Sequence, residues 1–294
     1  MSLPVQVTPS FLRALPLPEI ASDKDSRGVV LVVAGGTTTP GAVILAAESA
    51  LRAGAGKLQV MTSEATSGVV GQSLPEARVL GLAAVKSGDP DASMAGEILD
   101  NASQAAAVLL GPGWVDPDNA SALGAGVVPA LQVPFVLDAL ATAYVTDDPE
   151  ALRVHEGRAV LTMNPAELGR TLHLPEDDVL RRPGQAAVEL ARRSACVVLC
   201  GSDDKFVATP DGKVHVVTVG NPGLGVSGSG DVQAGLVAGL LARGCDTLTA
   251  AVWGAYLHGA AGDRLAGEQG PVGFLARELP STVPALLAEL TRTD

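Results

Sequence analysis

Short, wholly apolar runs alternate with longer amphipathic ones along most of the chain. The runs at 29–34, 57–62, 106–110, 134–138, 158–162 and 195–200 are rich in Val and Leu and lack polar alternation. That is the pattern of parallel strands covered on both faces. Helices are expected between them. The first runs from Pro40, at a favourable first helical position, to Leu51, before Gly54 and Gly56 stop it. Others are expected at 92–102, 120–131, 176–194, 229–242 and 247–266, with a last one after Ser281. Residues 206–209 and 214–218 flank Pro210-Asp211-Gly212, a turn signal that predicts a hairpin. The fold class is therefore α/β: a doubly wound, three-layer α/β/α domain with a mostly parallel central sheet and a hairpin in the C-terminal half. No linker, charge block or repeat divides the chain, so one domain over 1–294 is expected.

Composition narrows the picture. Hydrophobic residues make up 47% of the 294 positions but aromatics only 3%, so Ala, Val and Leu must build the core. A net charge of −12 argues against a nucleic-acid partner, whose phosphates would need a basic face. It leaves room for a small anion, because backbone N–H groups bind phosphate without net positive charge. The cysteines, Cys196, Cys200 and Cys245, are too few for a disulfide framework and point to a reducing compartment. Cys196 and Cys200 lie in one apolar run and read as buried strand residues. No run approaches the ~18–20 apolar residues of a membrane span, and the first residues lack a signal-peptide pattern. No membrane association is expected, and the cytoplasm is the expected location.

In open α/β sheets, ligands bind in the crevice at the carboxyl ends of the strands. The segments there are 35–39, 111–116, 138–142, 163–167 and 201–205, each holding glycine or polar residues behind an apolar strand. The most informative segment lies outside them, at 220–231 (Gly-Asn-Pro-Gly-Leu-Gly-Val-Ser-Gly-Ser-Gly-Asp), and leads into a helix. Val232, Leu236, Leu240 and Leu241 mark that helix's buried stripe, while Gly235 and Gly239 share a face suited to close packing. Exposed N–H groups running into a helix start form an anion cradle. Each well-aimed donor is worth about 3 kcal/mol at a transition state. Asp231 sits in the first helical turn. A carboxylate there is favoured by the helix dipole alone, by about 0.3–1 kcal/mol. The glycine density beside it favours a second role, a general base taking a hydroxyl proton during phosphoryl transfer.

Two motif matches are structural. Gly223, Gly225 and Gly228 satisfy the dinucleotide G-x-G-x-x-G, but they follow a hairpin strand and no acidic strand end comes after the helix. Gly56-Lys57 lacks the upstream glycine of a phosphate loop.

Taken together, the blocks resemble the ribokinase-like superfamily and, within it, the ADP/ATP-dependent NAD(P)H-hydrate dehydratases. They are 29–36 with Thr39-Pro40-Gly41-Ala42 and 50–56, then Gly111-Pro112-Gly113, Val136-Leu137-Asp138-Ala139, 161–167 and 220–231, spanning about 27–244. The resemblance implies an enzyme that uses ADP or ATP to phosphorylate the ring hydroxyl of hydrated NADH or NADPH, after which phosphate leaves. It implies that Asp231 activates the hydroxyl and that Gly228, Ser229 and Gly230 hold the nucleotide phosphates. Cys200, Gly201, Ser202, Asp203 and Asp204 complete the implied nucleotide segment. Ala42, Gly113, Asn164 and Asp231 are implied to contact the hydrate, Mg²⁺ to assist with Glu167 as its direct or indirect partner, and the assembly to be a homotetramer. Three positions depart from the family pattern. Cys200 stands for a lysine whose point charge it cannot supply, Asn164 for a histidine, and Leu140 for an aspartate. A small-alcohol kinase of the same superfamily, or a nucleotide-binding protein without turnover, are the alternative readings.

His258, on an Ala-rich helix, reads as a core histidine, and His155 and His173 as surface positions. Trp114 suits packing as well as base stacking. Asp203-Asp204 suits ribose contact or a solvated approach to the hairpin, and the sequence alone favours the second.

Overall fold

The computed structural model of the chain describes residues 3–146 and 148–292. Among these, ten strands form one sheet: β1 (Val5–Gln6), β2 (Val29–Val33), β3 (Lys57–Ser63), β4 (Ala77–Leu82), β5 (Ala107–Leu110), β6 (Phe135–Asp138), β7 (Ala159–Met163), β8 (Val197–Gly201), β9 (Lys205–Ala208) and β10 (Val214–Val217). The helices that precede β5 are α1 (Pro9–Ala14), α2 (Pro40–Arg52), α3 (Glu64–Ser73) and α4 (Ala95–Ala102). Between β5 and β8 come α5 (Pro117–Val127), α6 (Pro165–Leu172), α7 (Glu176–Arg181) and α8 (Pro183–Ser194). After β10 come α9 (Ser229–Ala242), α10 (Thr247–Gln269) and α11 (Leu279–Thr291).

The strand order is β1-β10-β9-β8-β7-β6-β5-β2-β3-β4. Strands β2 to β8 are mutually parallel, and β9 runs antiparallel to both its neighbours. The order reverses where β2 pairs with β5, so connections leave in opposite directions there and a crevice opens at the strands' carboxyl ends.

Strand alternation builds a separate core on each face. Val30 and Val32 pack with α1, α2, α3, α9, α10 and α11 on one side. Leu31 and Val33 pack with α4, α5, α6, α7 and α8 on the other. Small residues let α9 lie backbone-on-backbone against α2: a Cβ at Gly235 would stand 2.1 Å from the Ala46 carbonyl oxygen. This contact fixes the axis of α9 and aims its start at the sheet's carboxyl edge.

Several elements differ from expectation. The helix expected over 176–194 is two, because Pro183 opens α8 and its ring cannot continue α7. Strand β4 is an edge strand with mostly half-exposed positions, so it carries no apolar run to read. The short β1 and the helices α1, α3 and α6 likewise lack a long periodic signal. Among the described residues, no helix is long and apolar enough to cross a membrane.

Candidate active site

Strands β6, β7 and β8 end on one side of a cavity of about 1270 Å³, and the glycine-rich segment before α9 closes the other side. Asn221 shapes that segment: its side chain accepts from the Gly223 amide at 2.9 Å and starts a 3-10 turn at Pro222–Leu224. Asp263, on α10, pins its beginning by accepting from the Gly220 amide at 2.9 Å and from Asn221 Nδ2 at 3.0 Å. At its end Gly228 is the N-cap of α9 and brings no capping side chain. Among the described residues the amides of Gly230 and Asp231 have no partner, as the first amides of an uncapped helix do not. Gly228, Ser229, Gly230 and Asp231 all line the cavity.

Three carboxyl groups interact electrostatically across this space. Burial, and then the charge of Glu167, pushes Asp231 up to about 6. Asp138, at the end of β6, is raised well above the usual carboxylate range by burial first and by Asp231 second. A 2.6 Å hydrogen bond from Thr162 Oγ1 opposes that rise. Glu167 is raised by burial, against the pull of the Asn164 amide and of Arg170. An acid of pKa near neutrality beside free amides can exchange a proton with a ligand whose anionic part those amides hold.

Gly201, Ser202, Asp203, Asp204 and Asn164 also line the cavity. Cys200 is the buried strand residue that its apolar run suggests, and not a side chain open to the nucleotide. Strand alternation turns its side chain into the core with Cys196, it is fully buried, and it does not line the cavity. Burial pushes its thiol up to about 12. Glu167, implied as a direct or indirect partner of Mg²⁺, lines the cavity as well. With Asn164 it forms a reciprocal cap on α6, in which Asn164 Oδ1 accepts from the Glu167 amide at 2.9 Å and Glu167 Oε2 from the Asn164 amide at 2.8 Å. Among the described residues, no group of three or more His, Cys, Asp or Glu is arranged to hold a metal ion.

Ala42 and Gly113 lie together at the switch point, outside the cavity's lining. A Cβ at Gly113 would stand 2.7 Å from the Ala42 Cβ, and Thr39 Oγ1 donates to the Gly113 carbonyl. The loop of Gly113 is tied down by Asp89, 1% exposed, which accepts from the Val115 and Asp116 amides at 2.8 and 2.7 Å.

His258 is buried as the sequence suggests, yet it lines the cavity with Nε2 2.8 Å from Ser229 Oγ and Nδ1 without a partner. Burial and the charge of Lys205 push it down to about 3, so the ring is neutral. His155 is corrected: it is buried edge-on to Phe135, with ring centroids 4.9 Å apart, because a 3-10 turn folds it beneath α8. His173 is exposed. Trp114 is 5% exposed and packs in the core.

Sequence reasoning missed Asp138 as an ionisable group of the site, although a lone aspartate ending an apolar strand at the ligand edge was its signal. It also missed Lys205 and Gln233. Both are buried side chains that line the cavity, and Gln233 Nε2 has no hydrogen-bond partner.

A parallel sheet with helices on both faces and its crevice at a helix start is the ribokinase-like architecture. A ribokinase-like superfamily protein from Enterococcus faecalis, 22% identical, superposes with a TM-score of 0.81 over 98% of this chain and 97% of that one. The family model described as NAD(P)H-hydrate dehydratase matches residues 30–285. An ADP-dependent (S)-NAD(P)H-hydrate dehydratase from Xanthomonas campestris is 43% identical over 288 residues, 97% of each chain. A bifunctional NAD(P)H-hydrate repair enzyme from Moorella thermoacetica is 33% identical over 276 residues, of which the match spans 94% of this chain and 52% of that one. The ADP/ATP-dependent NAD(P)H-hydrate dehydratase of Bacillus subtilis, co-crystallised with ATP and Mg²⁺, is 25% identical with a TM-score of 0.80 over 99% of each chain. The chain belongs to the NAD(P)H-hydrate dehydratase family.

Proposed function

We propose that the chain is a dehydratase that uses ADP or ATP to repair hydrated NADH and NADPH, acting as one catalytic domain. The observation that carries this reading is the start of α9, where unpartnered amides and a carboxyl of pKa about 6 line one cavity. The ionised Asp231 takes the proton of the ring hydroxyl as that oxygen attacks the terminal phosphoryl group. The nucleotide leaves one phosphate shorter. The carbon–oxygen bond of the new ester then breaks, phosphate departs, and loss of a ring proton restores the dihydronicotinamide.

The amides of Gly230 and Asp231, with Gly228 and Ser229, hold the phosphates. Residues 201–204 face the rest of the nucleotide. Ala42, Gly113 and Asn164 position the hydrate, with Ala42 and Gly113 shaping the switch-point end where no charged group intervenes between them. Among the described residues no carboxyl cluster forms a metal cage of its own, so Mg²⁺ would be held chiefly by the nucleotide phosphates. Bound in this way, Mg²⁺ would neutralise charge on the phosphates. A homotetramer is the proposed assembly.

The test is incubation with NADH hydrate or NADPH hydrate, Mg²⁺ and either ADP or ATP. Return of reduced-nicotinamide absorbance with equimolar phosphate is the expected result. A stable phosphorylated alcohol would identify a kinase instead, and nucleotide binding with neither product would identify a binding protein without turnover.

A further inference from the structure

The cavity is lined by the carboxyl groups of Asp138, Glu167, Glu176, Asp203, Asp204 and Asp231, and by one cationic side chain, Lys205. Lys205 opens β9 opposite Gly201, the last residue of β8, so the hairpin holds its backbone at the ligand edge. Its side chain is 4% exposed. A lysine so buried is ordinarily paired with a carboxylate. Here no carboxylate of the described residues lies within ion-pair distance, and the ammonium's one hydrogen bond is a long 3.5 Å contact to the Val219 carbonyl.

The ammonium is also placed. A Cβ on Gly220 would stand 3.2 Å from Nζ, which puts the charge against the first residue of the glycine-rich segment. Its field acts on His258, whose Nε2 is 2.8 Å from Ser229 Oγ in the first turn of α9. Lysine and helix start therefore occupy one wall of the cavity. Burial lowers the affinity of Lys205 for its proton, while Asp263 and then Asp204 restore it. Gln233 Nε2, in the same lining, is a buried donor without a partner.

We infer that Lys205 Nζ is the cationic contact for a phosphate oxygen of the bound nucleotide, completing a site whose other phosphate donors are backbone amides. The assignment rests on the nucleotide reading of the cavity. A polyphosphate entering a space walled by carboxyl groups needs a fixed positive charge, and among the described residues that line the cavity Lys205 is the side chain that supplies it.

The test is calorimetric titration of the full chain and of Lys205→Met with ADP and with adenosine. Loss of one charge-assisted bond is expected to weaken ADP roughly 10- to 100-fold. Adenosine, which has no phosphate, is expected to bind both proteins alike. Equal ADP affinity in the two proteins overturns the lysine assignment and leaves the nucleotide reading intact. Failure of the unaltered chain to bind ADP or ATP removes both. Should Lys205→Met not fold, the unaltered chain decides by brief acylation with acetic anhydride and mass spectrometry. ADP is expected to protect Lys205 where adenosine does not, and labelling that is indifferent to ADP rejects the contact.

Discussion

Where β2 and β5 end, the crevice is walled by backbone and methyl groups; where β6, β7 and β8 end, it is walled by groups that ionise. At the first place Gly113 lies against Ala42, and Asp89 is engaged through Oδ2 with the 115–116 amides. At the second, Asp138, Glu167, Asp231 and Lys205 face one space. The difference teaches how one strand edge divides its labour. One half sets shape through backbone contacts that tolerate no added atom. The other half sets charge and protonation through burial, at a cost to stability that the rest of the sheet must carry.

The comparison breaks first at Asp231. Asp231→Asn is expected to slow turnover by roughly 10²-fold or more, the scale of a lost general base. Nucleotide affinity, read by titration, should be retained, and unchanged turnover would remove Asp231 from the mechanism.

On the uncharged side the largest effect belongs to Asp89. Asp89→Ala leaves two part-buried amides without their buried acceptor and is expected to lower stability by about 1–3 kcal/mol in urea unfolding. An unaltered midpoint would show that the 111–116 loop is held by something else.

Gly113→Ala should act on shape alone. At φ 76° a side chain is strained by about 1–2 kcal/mol, and the new methyl would meet the Ala42 Cβ at 2.7 Å. A KM for the hydrate raised roughly 5- to 30-fold, with ADP binding untouched, is the expected outcome. An equal loss for both ligands would mean that the two halves are not separate.

The smallest effect concerns pH. Asp231 rises from 3.8 to about 6 on folding, so the folded state binds that proton more tightly than the unfolded chain does. The resulting stabilisation is full below about 3.8 and lost as pH rises through about 6. At pH 8 Asp231→Asn should therefore be more stable than the unaltered chain, by about 1–2 kcal/mol after allowance for the partial exposure of the group. Turnover of the unaltered chain should fall as pH drops through about 6, as its base becomes protonated. A flat profile across that range would contradict the assignment.

The same division explains what was legible in the sequence. Strands covered on both faces announce themselves by unbroken Val and Leu, and the glycine-rich run before α9 announces a helix start open to an anion. Asp231 follows from its place in that run. Lys205 does not, because a lysine after two aspartates has the local pattern of a solvated turn, and only pairing with β8 buries it. Asp89, within Ser87-Gly88-Asp89-Pro90, reads locally as an exposed turn. Its burial comes from amides 26 and 27 residues away. Cys200 reads as a buried strand residue from its apolar run and is one, whereas the resemblance alone put it in the nucleotide segment and could not show which face its side chain takes. Asn164 shows that a departure from a family pattern can have a local reason of its own: asparagine is a preferred helix cap, and here it caps α6.

The contact between Gly235 and Ala46 has a kinetic consequence. Two helices in backbone contact, from segments almost two hundred positions apart, cannot loosen one at a time. The amides of α9 beyond its open first turn should accordingly exchange with heavy water only when the entire fold opens, while the edge strand β4 exchanges through local fraying. The base at the start of α9 then keeps its place for as long as the native state survives.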